Sequence, residues 1–124
     1  SDRLLLEPET LGFLFESLAI RDLRVYAAAL GGTVTHYRDE QGLEVDAIIE
    51  LPDGRWAGFE VTLGGQAGIQ SGATSLTRLV RKVTEERASR LAGLVIITAG
   101  STSLTRPDGI HVVSLGHLTW PSQP

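Results

Sequence analysis

Two carboxylates stand out by type and position. Asp46 lies in the run LEVDAIIEL and Glu60 in the run RWAGFEVTL, on either side of the turn Pro52-Asp53-Gly54. Both runs are rich in β-branched and aromatic residues, as expected for two strands of a hairpin. Side chains alternate across a strand. Val45, Ala47 and Ile49 are therefore expected on one face, with Glu44, Asp46, Ile48 and Glu50 on the other. In the following strand Ala57, Phe59, Val61 and Leu63 oppose Gly58, Glu60 and Thr62. Neighbouring strands run about 4.8 Å apart, so a suitable register sets Asp46 beside Glu60. Close carboxylates repel, and a hard divalent cation relieves that repulsion. Oxygen ligands alone favour Mg²⁺ or Mn²⁺. A solvated acidic hairpin face produces the same pattern and is the competing interpretation.

Glu16 belongs with this pair on a separate argument. It sits inside the apolar run GFLFESLAI, and a carboxylate buried there needs a partner. A metal would serve, and so would Arg21 or Arg38 in an ordinary salt bridge. Arg78, Arg81 and Lys82 are spaced to share one side of a helix. They are candidate phosphate contacts, against the alternatives of a solvated face or a docking surface. His36, His111 and His117 lack close ligand spacing and read as structural or surface residues.

The elements that must position these groups follow in the order α-β-β-β-α-β-β. A helix is expected from about Thr10 to Leu30, where Leu11, Leu14, Phe15, Leu18, Asp22 and Val25 recur at three- and four-residue steps, and Gly31-Gly32 ends it. Strands are expected at 33–38, 43–51 and 55–63, forming an antiparallel meander. Gly64, Gly65, Gly68 and Gly72 crowd the crossover that follows. Glycine weakens a helix by up to about 1 kcal/mol relative to alanine. The second helix is therefore expected to begin late, near Ser71 or Ala73, after a mobile loop, and to run to Ser89. Leu91–Thr98 is nearly continuous apolar sequence, as in a strand buried on both faces, and a short strand is expected at 109–115. Together these give a mixed sheet with helices packed on it.

A chain of 124 residues, 42% of them hydrophobic, can build one core without staples. Residues 1–9 are expected to be a linker or tag remnant, 10–120 one domain, and 121–124 a frayed tail. The absence of methionine suits a piece of a longer chain. The absence of cysteine excludes disulfides, thiolate catalysis and cysteine zinc sites, and fits a cytoplasmic setting. No apolar run is long enough to span a membrane. A net charge of −4 argues against a dedicated nucleic-acid binder. No Walker-type loop is present, so the chain carries no ATP site.

The segment LGFLFESLAIRDLRVYAAALGG, then HYRD, GLEVDAIIELPDGRWAGFEV and TRPDGIHVV, resembles the C-terminal domain of a large family of prokaryotic AAA-type ATPases, domain of unknown function 4143. That domain is similar in fold to the PD-(D/E)xK, restriction-endonuclease-like nucleases. The likeness runs from about Leu11 to Leu118. By position, Glu16 matches the helix glutamate, Asp46 the aspartate of the EVD strand and Glu60 the glutamate opening E-x-K. The resemblance implies that these three gather a divalent metal which activates water against a phosphodiester. The lysine of that motif is Thr62 here, and threonine supplies no cation.

The reading that follows is an accessory domain of an ATPase with a degenerate nuclease-like site, acting in interaction or recognition. Its implied partner is the N-terminal ATPase domain of the same parent chain, with self-association and nucleic acid as further options. One alternative is an active Mg²⁺-dependent nuclease using a displaced group such as Gln66, Gln70 or Arg78. Another is a purely structural packing domain.

Overall fold

The computed structural model describes residues 7–118 and 120. The expected tail at 121–124 and most of the expected linker lie outside them. Helix α1 covers Pro8–Ala29, followed by strands β1 (Thr33–Arg38), β2 (Glu44–Glu50) and β3 (Trp56–Thr62). Helices α2 (Gln66–Lys82) and α3 (Glu85–Ser89) lead into β4 (Leu91–Thr98), β5 (Leu104–Thr105) and β6 (His111–Ser114). A short 3₁₀ turn, Leu115–His117, closes the described chain. This is an α/β fold around one six-stranded mixed sheet, in the order β1-β2-β3-β4-β6-β5. The first three strands pair antiparallel, β3–β4 and β4–β6 pair parallel, and β5 pairs antiparallel with β6.

Each face of the sheet carries one long helix. On one face Ala19, Leu23 and Ala27 of α1 pack on Ala47, Ile49, Ala57, Phe59, Val95 and Ile97. On the other, Ala73, Leu76 and Leu79 of α2 pack on Val45, Ile48, Trp56, Ile96 and Val112. β4 contributes to both clusters, as its unbroken apolar sequence implies. Trp56 is fully buried, donates its indole N–H to the Arg87 carbonyl and lies beneath the Arg87 guanidinium, so it ties α3 to the sheet.

Several features depart from the sequence-based expectation. The stripe Leu11, Leu14, Leu18 and Val25 faces outward, each residue 41–68% exposed, while the small residues Ala19 and Ala27 flank Leu23 against the sheet. α1 is apolar nearly all round, so periodicity alone does not select the buried side. α1 also starts at Pro8, where a proline at the first helical position costs no hydrogen bond. α2 starts at Gln66 rather than Ser71. Its glycines are contact points and not breaks. A Cβ on Gly72 would stand 3.3 Å from that of Glu60, and one on Gly68 would run into the Thr62 hydroxyl. α2 then stops at Lys82, because Thr84 caps a new helix by accepting from the Arg87 N–H.

A further departure lies in β2. Thr35 pairs with Ile48, but Tyr37 pairs with Val45, so three steps of β2 face two of β1. The extra residue falls at Asp46-Ala47, opposite His36. This β-bulge resets the alternation: Val45 joins Ile48 on the α2 face and not Ala47 and Ile49 on the α1 face. At its other end α1 is stopped by Gly31 at φ +74°, which lets the Gly32 N–H reach back to the Ala27 carbonyl at 2.8 Å.

Candidate functional site

The bulge decides where Asp46 points. β2 pairs with β3 from Glu50–Trp56 up to Ala47–Phe59, whereas β3 continues beside β4 to Thr62–Thr98. Past Ala47 the two strands part. Asp46 fills the gap by accepting the Val61 N–H on Oδ2 at 2.8 Å, so that side chain replaces a rung of the ladder. The Glu60 carboxyl also lies within hydrogen-bonding reach of Asp46, of both its backbone and its side chain. Asp46 and Glu60 thus meet where the sheet opens, as the alternation argument expected, but through a bulge and not through regular pairing.

Two carboxyls in hydrogen-bond contact cannot both ionise freely. Burial first, and then Asp46, push the Glu60 carboxyl up to about 9, partly offset by a hydrogen bond from Ser75 of α2. Glu60 therefore holds a proton at neutral pH. Two carboxylates completed by water are an ordinary Mg²⁺ environment, so Asp46 and Glu60 fit a divalent ion.

Glu16 approaches from α1. Burial and then the charge of Asp46 raise its carboxyl above the usual range, while His36, on the strand opposite the bulge, pulls it down. Glu16 and Asp46 thus lie within electrostatic reach of one another. Among the described residues, however, no three His, Cys, Asp or Glu side chains gather into an ion-holding group. Glu16 makes no ion pair with Arg21 or Arg38; Arg38 pairs with Glu44 instead.

Thr62 follows Glu60 on the α2 side. It lines a cavity of about 180 Å³ together with Glu60, Gly68, Ser71, Gly72 and Ser75. This wall is hydroxyl-rich and carries no Lys or Arg among the described residues. Gln66 and Gln70 do not line it either, and Gln70 accepts from Arg106 instead.

The basic residues of α2 differ in their surroundings. Lys82 pairs with Asp39 and also donates to Gln41, and that contact holds the Asp39 carboxyl down at about 2. Arg78 and Arg81 are exposed and form no ion pair among the described residues. The histidine reading holds: His111 bonds Thr105 and His117 bonds Ser114, each at 3.0 Å through Nδ1. His36 is an exposed surface residue, as expected, and lies within electrostatic reach of Glu16.

Ser71 and Ser75 carry no expectation of a site role from sequence, and His36 only that of a structural or surface residue. A signal existed for the serines: Gly68, Gly72, Ser71 and Ser75 recur at four-residue steps, marking a helix face that approaches the sheet closely. The position of His36 depends on the bulge, which leaves no comparable mark.

The family profile described as Domain of unknown function (DUF4143) matches residues 11–118, nearly the whole chain, and the chain belongs to this family. No curated protein matches the sequence.

Proposed function

We propose that this DUF4143 member is a restriction-endonuclease-like accessory domain of an AAA-type ATPase, working in the cytoplasm, whose nuclease-like site serves recognition instead of phosphodiester cleavage. The observation that carries this reading is the Asp46–Glu60 pair with no cationic partner. Asp46 is bonded to the Val61 amide, and Glu60 to Asp46 and Ser75. Thr62 stands where the resemblance calls for lysine. An active site of that type needs a positive group to offset charge and place the attacking water. The meander passing into a parallel strand, with paired carboxyls where β2 and β3 part, supports the fold relationship.

A Mg²⁺ or Mn²⁺ ion would be held by Asp46 and Glu60, with Glu16 near enough to join through water. Such an ion supplies Lewis-acid polarisation of a phosphoryl oxygen. The chain's own residues supply the carboxyl pair, the roof made by α2 and no general cation. The test incubates the domain with single- and double-stranded DNA and RNA in Mg²⁺ and in Mn²⁺, beside Asp46→Ala. No cleavage is expected. Wild-type cleavage that Asp46→Ala abolishes would overturn the reading. Recovery of the intact parent with a Walker-loop ATPase region would support the accessory role.

A further inference from the structure

The first turns of α1 and the end of β3 enclose a cleft of about 500 Å³. Its apolar walls are Phe13, Phe15, Val61 and Leu63, and its charged walls are Glu9 and Glu16. No lysine or arginine lines it among the described residues, and neither glutamate makes an ion pair there. Phe13 is 71% exposed, an unusual position for a large aromatic side chain. A cleft of this size, mostly apolar and with few charges of one sign, has the makeup of a binding site.

We propose that this cleft binds an arginine-bearing, apolar-flanked segment of a partner protein, the guanidinium lying between the Phe13 ring and the Glu16 carboxylate. This rests on the recognition reading given above and names its partner. The charge complementarity decides the occupant. Two carboxylates and a protein net charge of −4 repel a polyanion and attract a cation. An aromatic face beside a carboxylate suits arginine better than lysine. The planar guanidinium stacks on the ring while its forked N–H groups bond the carboxylate. Val61, Phe15 and Leu63 then bury the apolar neighbours of the arginine. Arg21 and Arg24 of α1 line an adjoining cavity of about 320 Å³ that shares Phe13 and Glu16 with this cleft, and neither lines the cleft itself.

The test follows backbone amide resonances of the whole chain while a capped Leu-Arg-Leu peptide is added at millimolar concentration. Shifts are expected at Gly12, Phe13, Glu16, Thr62 and Leu63. Replacing arginine by citrulline, which keeps shape and removes charge, should weaken binding at least tenfold, as should Glu16→Gln and Phe13→Ala, each checked for native resonance dispersion. Equal binding of the citrulline peptide, no shifts at these amides, or preferential binding of a short oligonucleotide there would each overturn the inference. Loss of peptide binding in a domain that cleaves no nucleic acid defeats this inference alone, whereas cleavage defeats the recognition reading beneath it.

Discussion

Gly68 of α2 rests directly on Thr62 of β3, so closely that a Cβ at position 68 would collide with the threonine hydroxyl oxygen. The helix that the glycines were expected to delay starts at Gln66, ahead of the expected Ser71 or Ala73, and so makes this contact. Gly72, one turn on, packs closely over Glu60 and Ile96, where a Cβ would make tight contacts at 3.3 and 3.4 Å. Small residues on α2 and the site residues on β3 are therefore two sides of one packing requirement.

Gly68→Ala tests that requirement. Intrinsic propensity alone favours alanine in a helix by about 1 kcal/mol. Overpacking against Thr62 outweighs it, and a net loss of about 1–3 kcal/mol is expected in denaturant unfolding. Thr62→Ala in the same chain should recover most of that loss, since the two substitutions share one contact. Stabilisation by Gly68→Ala alone would show that α2 does not sit this close.

The Glu60 carboxyl, pushed up to about 9 by burial and then by Asp46, makes stability depend on pH in a defined direction. Its folded value lies above the unfolded 4.5, so the folded state binds the proton more tightly. That contribution is fully present below about 4.5 and is lost as pH rises toward 9. Unfolding midpoints of the wild type should therefore fall from pH 6 to pH 9, and those of Glu60→Gln should fall less. Asp39 works in the opposite sense. Held down at about 2 by Lys82, it stabilises above 3.8 and loses that effect as pH drops toward 2, so Asp39→Asn should flatten only the acid limb.

The direction in which α1 faces can be read from a pair of truncations. Leu23→Ala removes a side chain with no exposure and should cost about 2–5 kcal/mol. Leu14→Ala removes one that is 53% exposed and should change stability by no more than about 0.5 kcal/mol. Equal costs would mean that the stripe Leu11, Leu14, Leu18 and Val25 is covered in solution.

That contrast also marks how far the sequence could be read. The two long helices, the strands β1–β4 and β6 and their order, the ends of β1 and β4 and the meeting of Asp46 with Glu60 all follow from strand composition, turn residues and alternation. The buried face of α1 does not, because apolar residues lie on both sides and the choice falls to Ala19 and Ala27, whose small size admits the sheet. The start of α2 is not legible from helix propensity, because the close contacts of Gly68 on Thr62 and Gly72 on Glu60 offset glycine's helix penalty. β5, two residues long, has no periodicity to detect. The bulge at Asp46-Ala47 depends on how β1 and β2 pair, and local sequence does not encode that.

Asp46 combines two roles that substitution can separate. Its carboxylate accepts the Val61 N–H at 2.8 Å where β2 and β3 part, and it also presses on Glu60 electrostatically. Asparagine keeps an acceptor oxygen and removes the charge. Asp46→Asn should therefore preserve the fold and equal or exceed wild-type stability above neutral pH. It should also let the Glu60 carboxyl fall, though not to its ordinary value, since burial is the larger cause. Alanine removes the acceptor as well and leaves the Val61 N–H without its partner, a loss of about 1–3 kcal/mol. Carboxyl ¹³C titration of Glu60 with denaturant unfolding of both variants distinguishes the roles. If Asp46→Asn and Asp46→Ala destabilise equally, the ladder-replacing hydrogen bond contributes nothing, and Asp46 acts by charge alone.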